Sequence, residues 1–247
     1  DWTSRDSLQP SLEQFQRLSC RLQACALMFV SPDSQLAFWA NVYHALQLHI
    51  VLIMGAVRVT DDRGALDPAS PFFQCAYVIG GFTLSAADIQ RGIMGNRPTL
   101  FPPYRPTFPA GDCRRALVLR RIPTLLKQRL HFVLDLGLTC SPHGAAHMHV
   151  FTESALTAQF KSLVAAHLQN AAVVNLRKRK LKVSPLFDLH MTDFGGDTNG
   201  VVRFLTSHLP HGPLRENLID LMASAAATEG VLLKYLPVEW APALPAS

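Results

Sequence analysis

Residues 129–151, RLHFVLDLGLTCSPHGAAHMHVF, place one cysteine and three histidines, Cys140, His143, His147 and His149, just after an apolar run. Two chemistries fit these residue types. In the first, Cys140 or Ser141 attacks an acyl carbon while a histidine takes the proton. A thiol attacks as thiolate, so Cys140 needs a nearby imidazolium, helix N-terminus or basic side chain to lower its pKa. His131 precedes Cys140 by nine residues, on the order of 30 Å if the segment is extended. It serves as base only if the chain turns back, and His44 or His190 must arrive through the fold. The plainer reading makes Cys140 a small hydrophobe without a chemical role.

The second chemistry is a metal site. His147 and His149 share a face if their segment is a strand, and Cys140 or His143 completes a zinc set. Tight ligand pairs and a nearby acid are both missing, so the simpler reading is three partly exposed histidines. No metal or other cofactor is expected.

A third feature binds instead of reacting. RKRKLK, residues 177–182, gathers Arg177, Lys178, Arg179, Lys180 and Lys182. Such a tract draws phosphates, an acidic protein or an anionic membrane surface from a distance, and salt screens the pull. It also matches a nuclear localisation tract, or simply guards a sheet edge from pairing. No aromatic residue is interleaved, so specific nucleic-acid binding has no support. GGDTNG, residues 195–200, lacks the closing Gly-Lys-Ser/Thr of a phosphate loop. DFGGD stands without the other kinase signatures; Asp193 and Phe194 read as helix-end and core residues.

The elements that must position these groups follow from periodicity. Residues 11–30 read as an amphipathic helix, with Leu12, Phe15, Leu18, Leu22 and Cys25 at helical spacing. Ser31 and Pro32 start a long apolar helix that ends near Gly55. Its segment 36–57 has no charged residue, yet carries Asn41, His44, Gln47 and His49. It is read as a central core helix with a polar edge, not a membrane span. A hairpin around Gly80-Gly81 follows, then a helix capped by Ser85 through Met94. Residues 95–113, with five prolines and two glycines, form a long surface loop or lid. A short basic helix is expected over 114–121 and another from Thr124.

Leu130–Leu138 reads as a central strand and residues 148–152 as a short one, after which Thr152 caps a helix over 153–167. Residues 171–187 read as a hairpin in which Val174 and Leu176 face Leu181 and Val183. Helices are expected at 186–193, 198–208 and 213–227, and a strand closes the chain. Hairpins and helices mix without βαβ alternation. This predicts an α+β class: one domain over 36–247 with a mixed or antiparallel sheet against a long central helix, after a helical lead-in over 1–35.

The chain has 247 residues, 49% apolar and 17% charged, enough for a large core and unlike a disordered segment. Its net charge of +5 hints at an anionic partner. Five scattered cysteines with no CxxC pair are read as reduced thiols in a cytoplasmic, intracellular setting. Because it begins at Asp1, the chain is expected to be part of a longer protein and to contact other domains of that parent.

Five stretches in order resemble the Domain of Unknown Function 547 family. FWANVYHALQLH is similar to its FWIN-x-YNA helix, and YVIGGFTLSAADIQRGIMG to its I-x-GG-x-x-x-S hairpin and helix. RLHFVLDLGLTCSPHG resembles R-x-HFAL-x-CG-x-x-SCP, KVSPLFDLHMTDFG resembles P-KLF-x-WY-x-x-DF, and KYLPVEW resembles the closing KY-x-x-YDWSLN. The likeness runs from Ala37 to Trp240. The family's SCP falls on Cys140-Ser141-Pro142, so its thiol position is Ser141. His44 stands where the family has Asn, and Leu136 where it often has Cys. Residues 143–146 look like an insertion, leaving His143 and His147 without counterparts. The resemblance implies an intracellular accessory module beside coiled-coil, glutaredoxin-like or DEP domains at least as readily as an enzyme. Two functions therefore stand. One is a non-catalytic interaction module; the other is a cysteine- or serine-dependent acyl-transfer hydrolase of papain- or transglutaminase-like chemistry.

Overall fold

The structure is a computed structural model and describes residues 5–29, 31–54, 69–95, 108–119, 121–134, 149–226 and 231–236. Helix α1 (Arg5–Cys20) and a 3-10 turn (Arg21–Ala24) lead into α2 (Pro32–Met54). Ser31 starts α2 as its type predicts: the Ser34 amide donates to its hydroxyl at 3.0 Å. α2 is buried around most of its circumference, with Trp39 and Ala40 fully enclosed. By length and composition it is apolar enough to cross a membrane, yet half of its apolar window lies inside the molecule. It runs as a core helix.

Beyond the short α3 (Pro71–Gln74), β1 (Ala76–Ile79) and β2 (Phe82–Ser85) form the expected antiparallel hairpin. Gly80 and Gly81 take φ of +54° and +85°, the paired positive values of a two-residue turn. Ser85 caps the next segment in a reciprocal box: the Asp88 amide donates to Ser85 Oγ, and the Ser85 amide donates to the Asp88 carboxylate. Asp88–Ile93 is wound as a π-helix, not an α-helix. The basic helix foreseen over 114–121 is a 3-10 turn, Cys113–Leu117.

The expected strands after it are corrected. Residues 130–133 belong to α4 (Thr124–Val133), and 149–152 form no strand. α4 is buried on several sides at once. Leu126, Leu130 and Val133 face the core around α2, while Phe132 enters a second core. A helix apolar on so many sides reads, over a short run, like a central strand.

A 3-10 turn (Glu153–Ala155), with no side-chain cap from Thr152, leads into α5 (Leu156–Ala171). β3 (Ala172–Asn175) and β4 (Lys180–Val183) pair antiparallel, and β5 (Leu232–Tyr235) adds to β4 in parallel. Val174 faces Leu181 as expected, but Val183 faces Ala172 and Leu176 lies in the turn. The helix foreseen over 186–193 breaks at His190 into α6 (Leu186–Leu189) and a 3-10 turn (Met191–Phe194). α7 (Thr198–His208) and α8 (Pro213–Ala226) follow close to expectation.

The α+β class holds, with two apolar cores. The first gathers α2, the β1–β2 hairpin and α4; the second gathers α5, α7, α8 and the three-stranded sheet. So the long helix packs against the two-stranded hairpin, while the larger sheet serves the other core.

Candidate functional site

Cys140, Ser141, His143 and His147 lie outside the described residues, as do 96–107 of the proline-rich segment. On either side of 135–148 in sequence, α2 contacts Phe151 and Val133. The Asn41 side chain exchanges two hydrogen bonds with the Phe151 backbone, each 2.8 Å. One turn further along, His44 Nε2 donates to the Val133 carbonyl at 2.8 Å. A carbonyl only accepts, so this contact puts the proton on Nε2 and the lone pair on Nδ1. That Nδ1 is buried without a hydrogen-bond partner among the described residues. Burial, above all, pushes the His44 pKa down to about 4, with the nearby His149 adding to the effect. His149 itself is exposed and not in a strand.

His131, another candidate base, sits in α4 with its side chain fully enclosed. Its Nε2 donates to Asp193 Oδ2 at 2.9 Å, and the other carboxylate oxygen takes Lys127 Nζ at 2.8 Å. Gln128 grips the Asp193 carbonyl at 2.7 Å. Three α4 side chains thus clasp one residue of the turn after α6. Burial lowers the pKa of His131 despite Asp193, so the imidazole is neutral near pH 7. Against its own partial burial, which raises it, the His131 N–H and then Lys127 hold the Asp193 carboxyl below the usual carboxylate range.

His190 stacks on His131 with ring centroids 3.7 Å apart and planes within 15°. Together His131, His190 and Asp193 have the residue types and proximity of a metal site. The geometry suits one poorly. Imidazole lone pairs lie in the ring plane, so two stacked rings direct theirs into separate parallel planes. Both Asp193 oxygens are also engaged, one by an ammonium. The cluster is better described as a joint between α4 and the α6 turn.

A second buried polar pair holds the other side of α4. Arg129 Nε donates to His208 Nε2 at 3.0 Å, and His208 Nδ1 donates to the Phe204 carbonyl at 2.9 Å. Accepting from a guanidinium requires neutral imidazole, and burial lowers the His208 pKa accordingly.

The basic tract is displayed openly. Arg177, Lys178 and Arg179 are exposed on the β3–β4 turn, Lys182 is exposed, and Lys180 is half-buried. Arg179 takes a left-handed φ of +46°. The fold adds a residue that reasoning from the tract alone missed. β5 pairs with β4 in a register that sets exposed Lys234 beside Lys182, about 4.8 Å away at the strand spacing. Like charges directly opposite on a sheet repel. Among the described residues no ion pair joins any of these six cations. The only sequence signal for Lys234 was alternation along the closing strand.

Two grooves lie elsewhere. One of about 370 Å³ runs between the starts of α2 and α4, past Asp33, Leu36, Arg121 and Leu126. The other, about 450 Å³, lies between α7 and α8 and includes Arg203 and Arg215.

The family described as "protein of unknown function, DUF547" has a model that matches residues 27–168. That is more than half of the chain, and the chain belongs to this family. The match spans α2, the glycine hairpin, α4 and most of α5, and ends before the basic sheet. No curated protein matches the chain, and no solved structure does.

Proposed function

We propose that this DUF547-family chain is a non-catalytic module that binds an anionic partner through the outer face of β3–β4–β5. The observation that carries this reading is the Lys182–Lys234 register. It turns a basic turn into a basic surface, built from two segments some fifty residues apart in sequence. Six cations with no carboxylate among the described residues to neutralise them leave a repulsion that an anionic partner relieves. Placement on the turn and on one open sheet face also accounts for why the charge is not spent on internal ion pairs.

The test uses a soluble polyanion, poly-L-glutamate, with the full chain. Binding should weaken steeply with added salt and fall at least about tenfold in a Lys182→Glu, Lys234→Glu double variant. Equal affinity of variant and wild type would overturn the reading.

A second reading keeps one supporting observation. α2 contacts Val133 and Phe151, which flank in sequence the stretch that contains Cys140 and Ser141, and His44 carries a lone pair on Nδ1. In this hydrolase reading His44 takes the proton from Cys140 or Ser141. Its low pKa makes it a weak base near pH 7, which ranks this reading second. Alkylation of Cys140 that stays fast well below the ordinary thiol pKa would raise it; alkylation with an ordinary thiol profile would end the cysteine mechanism.

A further inference from the structure

The outer sheet face carries more than charge, and what it carries narrows the partner. We propose that this face docks on a phospholipid bilayer surface rich in anionic headgroups, an inference that rests on the polyanion-binding reading above.

Two rows of outward side chains cross the sheet: Val173–Lys182–Lys234 and Asn175–Lys180–Leu232. At the turn, Leu176 stands beside Arg177, Lys178 and Arg179. The lysines Lys180, Lys182 and Lys234 adjoin one another, with Val173 and Leu232 at opposite corners of the face, so aliphatic side chains flank the charge on both sides. The aliphatic ones are open to solvent: Val173 is 50%, Leu232 52% and Leu176 42% exposed. The inner rows, Ala172–Val183–Tyr235 and Val174–Leu181–Leu233, supply the sheet's packing, so the fold does not need the outer three.

A bilayer interface is the environment that takes both kinds at once. Ammonium groups sit at phosphate depth while lysine stems and short aliphatic side chains settle below them. An acidic peptide would use the cations and gain little from Val173, Leu176 and Leu232. A nucleic acid strand would call for aromatic stacking, and no aromatic residue points outward in these rows. Shape agrees: Val173, Lys182, Leu232 and Lys234 are all exposed, so this face is an open surface. Four of the six cations are lysines, suited to neutralising diffuse charge more than to clasping one planar carboxylate or phosphate.

The experiment is co-sedimentation of the full chain with phosphatidylcholine vesicles, and with vesicles that also contain phosphatidylserine. Binding should appear with phosphatidylserine and drop at least about tenfold in the Lys182→Glu, Lys234→Glu variant. A Leu176→Asn, Leu232→Asn variant, folded by its circular dichroism, should lose severalfold on phosphatidylserine vesicles while binding poly-L-glutamate as the wild type does. Wild-type binding to poly-L-glutamate without vesicle binding would overturn the lipid assignment and leave a soluble acidic partner. Undiminished vesicle binding by the leucine variant would overturn it too. Binding to neither probe would overturn the underlying reading as well.

Discussion

His44 shows how burial converts one side chain into a pH dependence of the whole chain. Its pKa is about 4 when folded against an ordinary 6.5. Between those values the unfolded chain binds a proton that the folded chain refuses, so stability is full above pH 6.5 and falls as pH drops toward 4. The contribution is on the order of 3 kcal/mol. Replacing His44 with Gln keeps a donor for the Val133 carbonyl and removes the titration. Denaturant unfolding at pH 7 and pH 4.5 should show a smaller acid loss in His44→Gln than in wild type. Equal acid losses would mean that His44 is not held in its neutral form. The residue's polar setting was legible in the sequence, because Asn41 and His44 stand one turn apart on an otherwise apolar helix. Its role in holding the last turn of α4 was not, since Val133 lies 89 residues away. The same distance problem hid the His131–Asp193 contact, whose partners are 62 residues apart, and the buried Arg129–His208 pair. Cys140 and Ser141, on which the sequence-based chemistry centred, lie outside the described residues.

Local elements were legible where local rules decide them. The β1–β2 hairpin needed only two glycines between alternating strands, and the cap at Ser85 needed only an acid three residues on. The start of α4 at Thr124 was legible, but its second half read as a strand because its sides face different partners: Leu126 and Leu130 one core, Phe132 the other, Lys127 and His131 the Asp193 joint. Hydrophobic periodicity fades when nearly every side is buried. The hairpin offers a test of what its first glycine does. A Cβ at Gly80 would stand 2.8 Å from Leu27 and 2.9 Å from the Cys25 carbonyl, whereas one at Gly81 meets nothing within 4 Å. Both sites have positive φ, so alanine at either costs about 1–2 kcal/mol of backbone strain. Gly80→Ala adds an overpacking cost of about 1–3 kcal/mol, because the segment before α2 runs directly across the turn. Thermal unfolding should rank Gly80→Ala clearly below Gly81→Ala. Equal melting points would mean that residues 25–27 do not press on the hairpin.

Across the whole molecule, the end of the family match falls inside a shared structure. Residue 168 is Leu168, fully buried in the second core with Val164 and, from α4, Phe132. Phe132 stacks parallel to Phe204 of α7 at 5.6 Å and meets Phe187 and Phe194 edge-on. The matched segment therefore carries one face of a core whose other face comes from residues 181–221. A chain that stopped at 168 would leave Phe132, Val164 and Leu168 in water. Each forfeits roughly 1.5–3 kcal/mol of burial, a total comparable with the about 5–15 kcal/mol that holds a typical domain together. It would also lose the Asp193 clasp and expose Arg129 without His208. Cutting the chain there should give a product that binds a hydrophobic dye such as ANS and melts without a cooperative transition, while the full chain melts in one step. A dye-silent, cooperatively melting product would instead make residues 169–247 an appended unit. In that event the basic sheet face would be a separable attachment to the family's own fold, and the function of the matched region would have to be sought around α2.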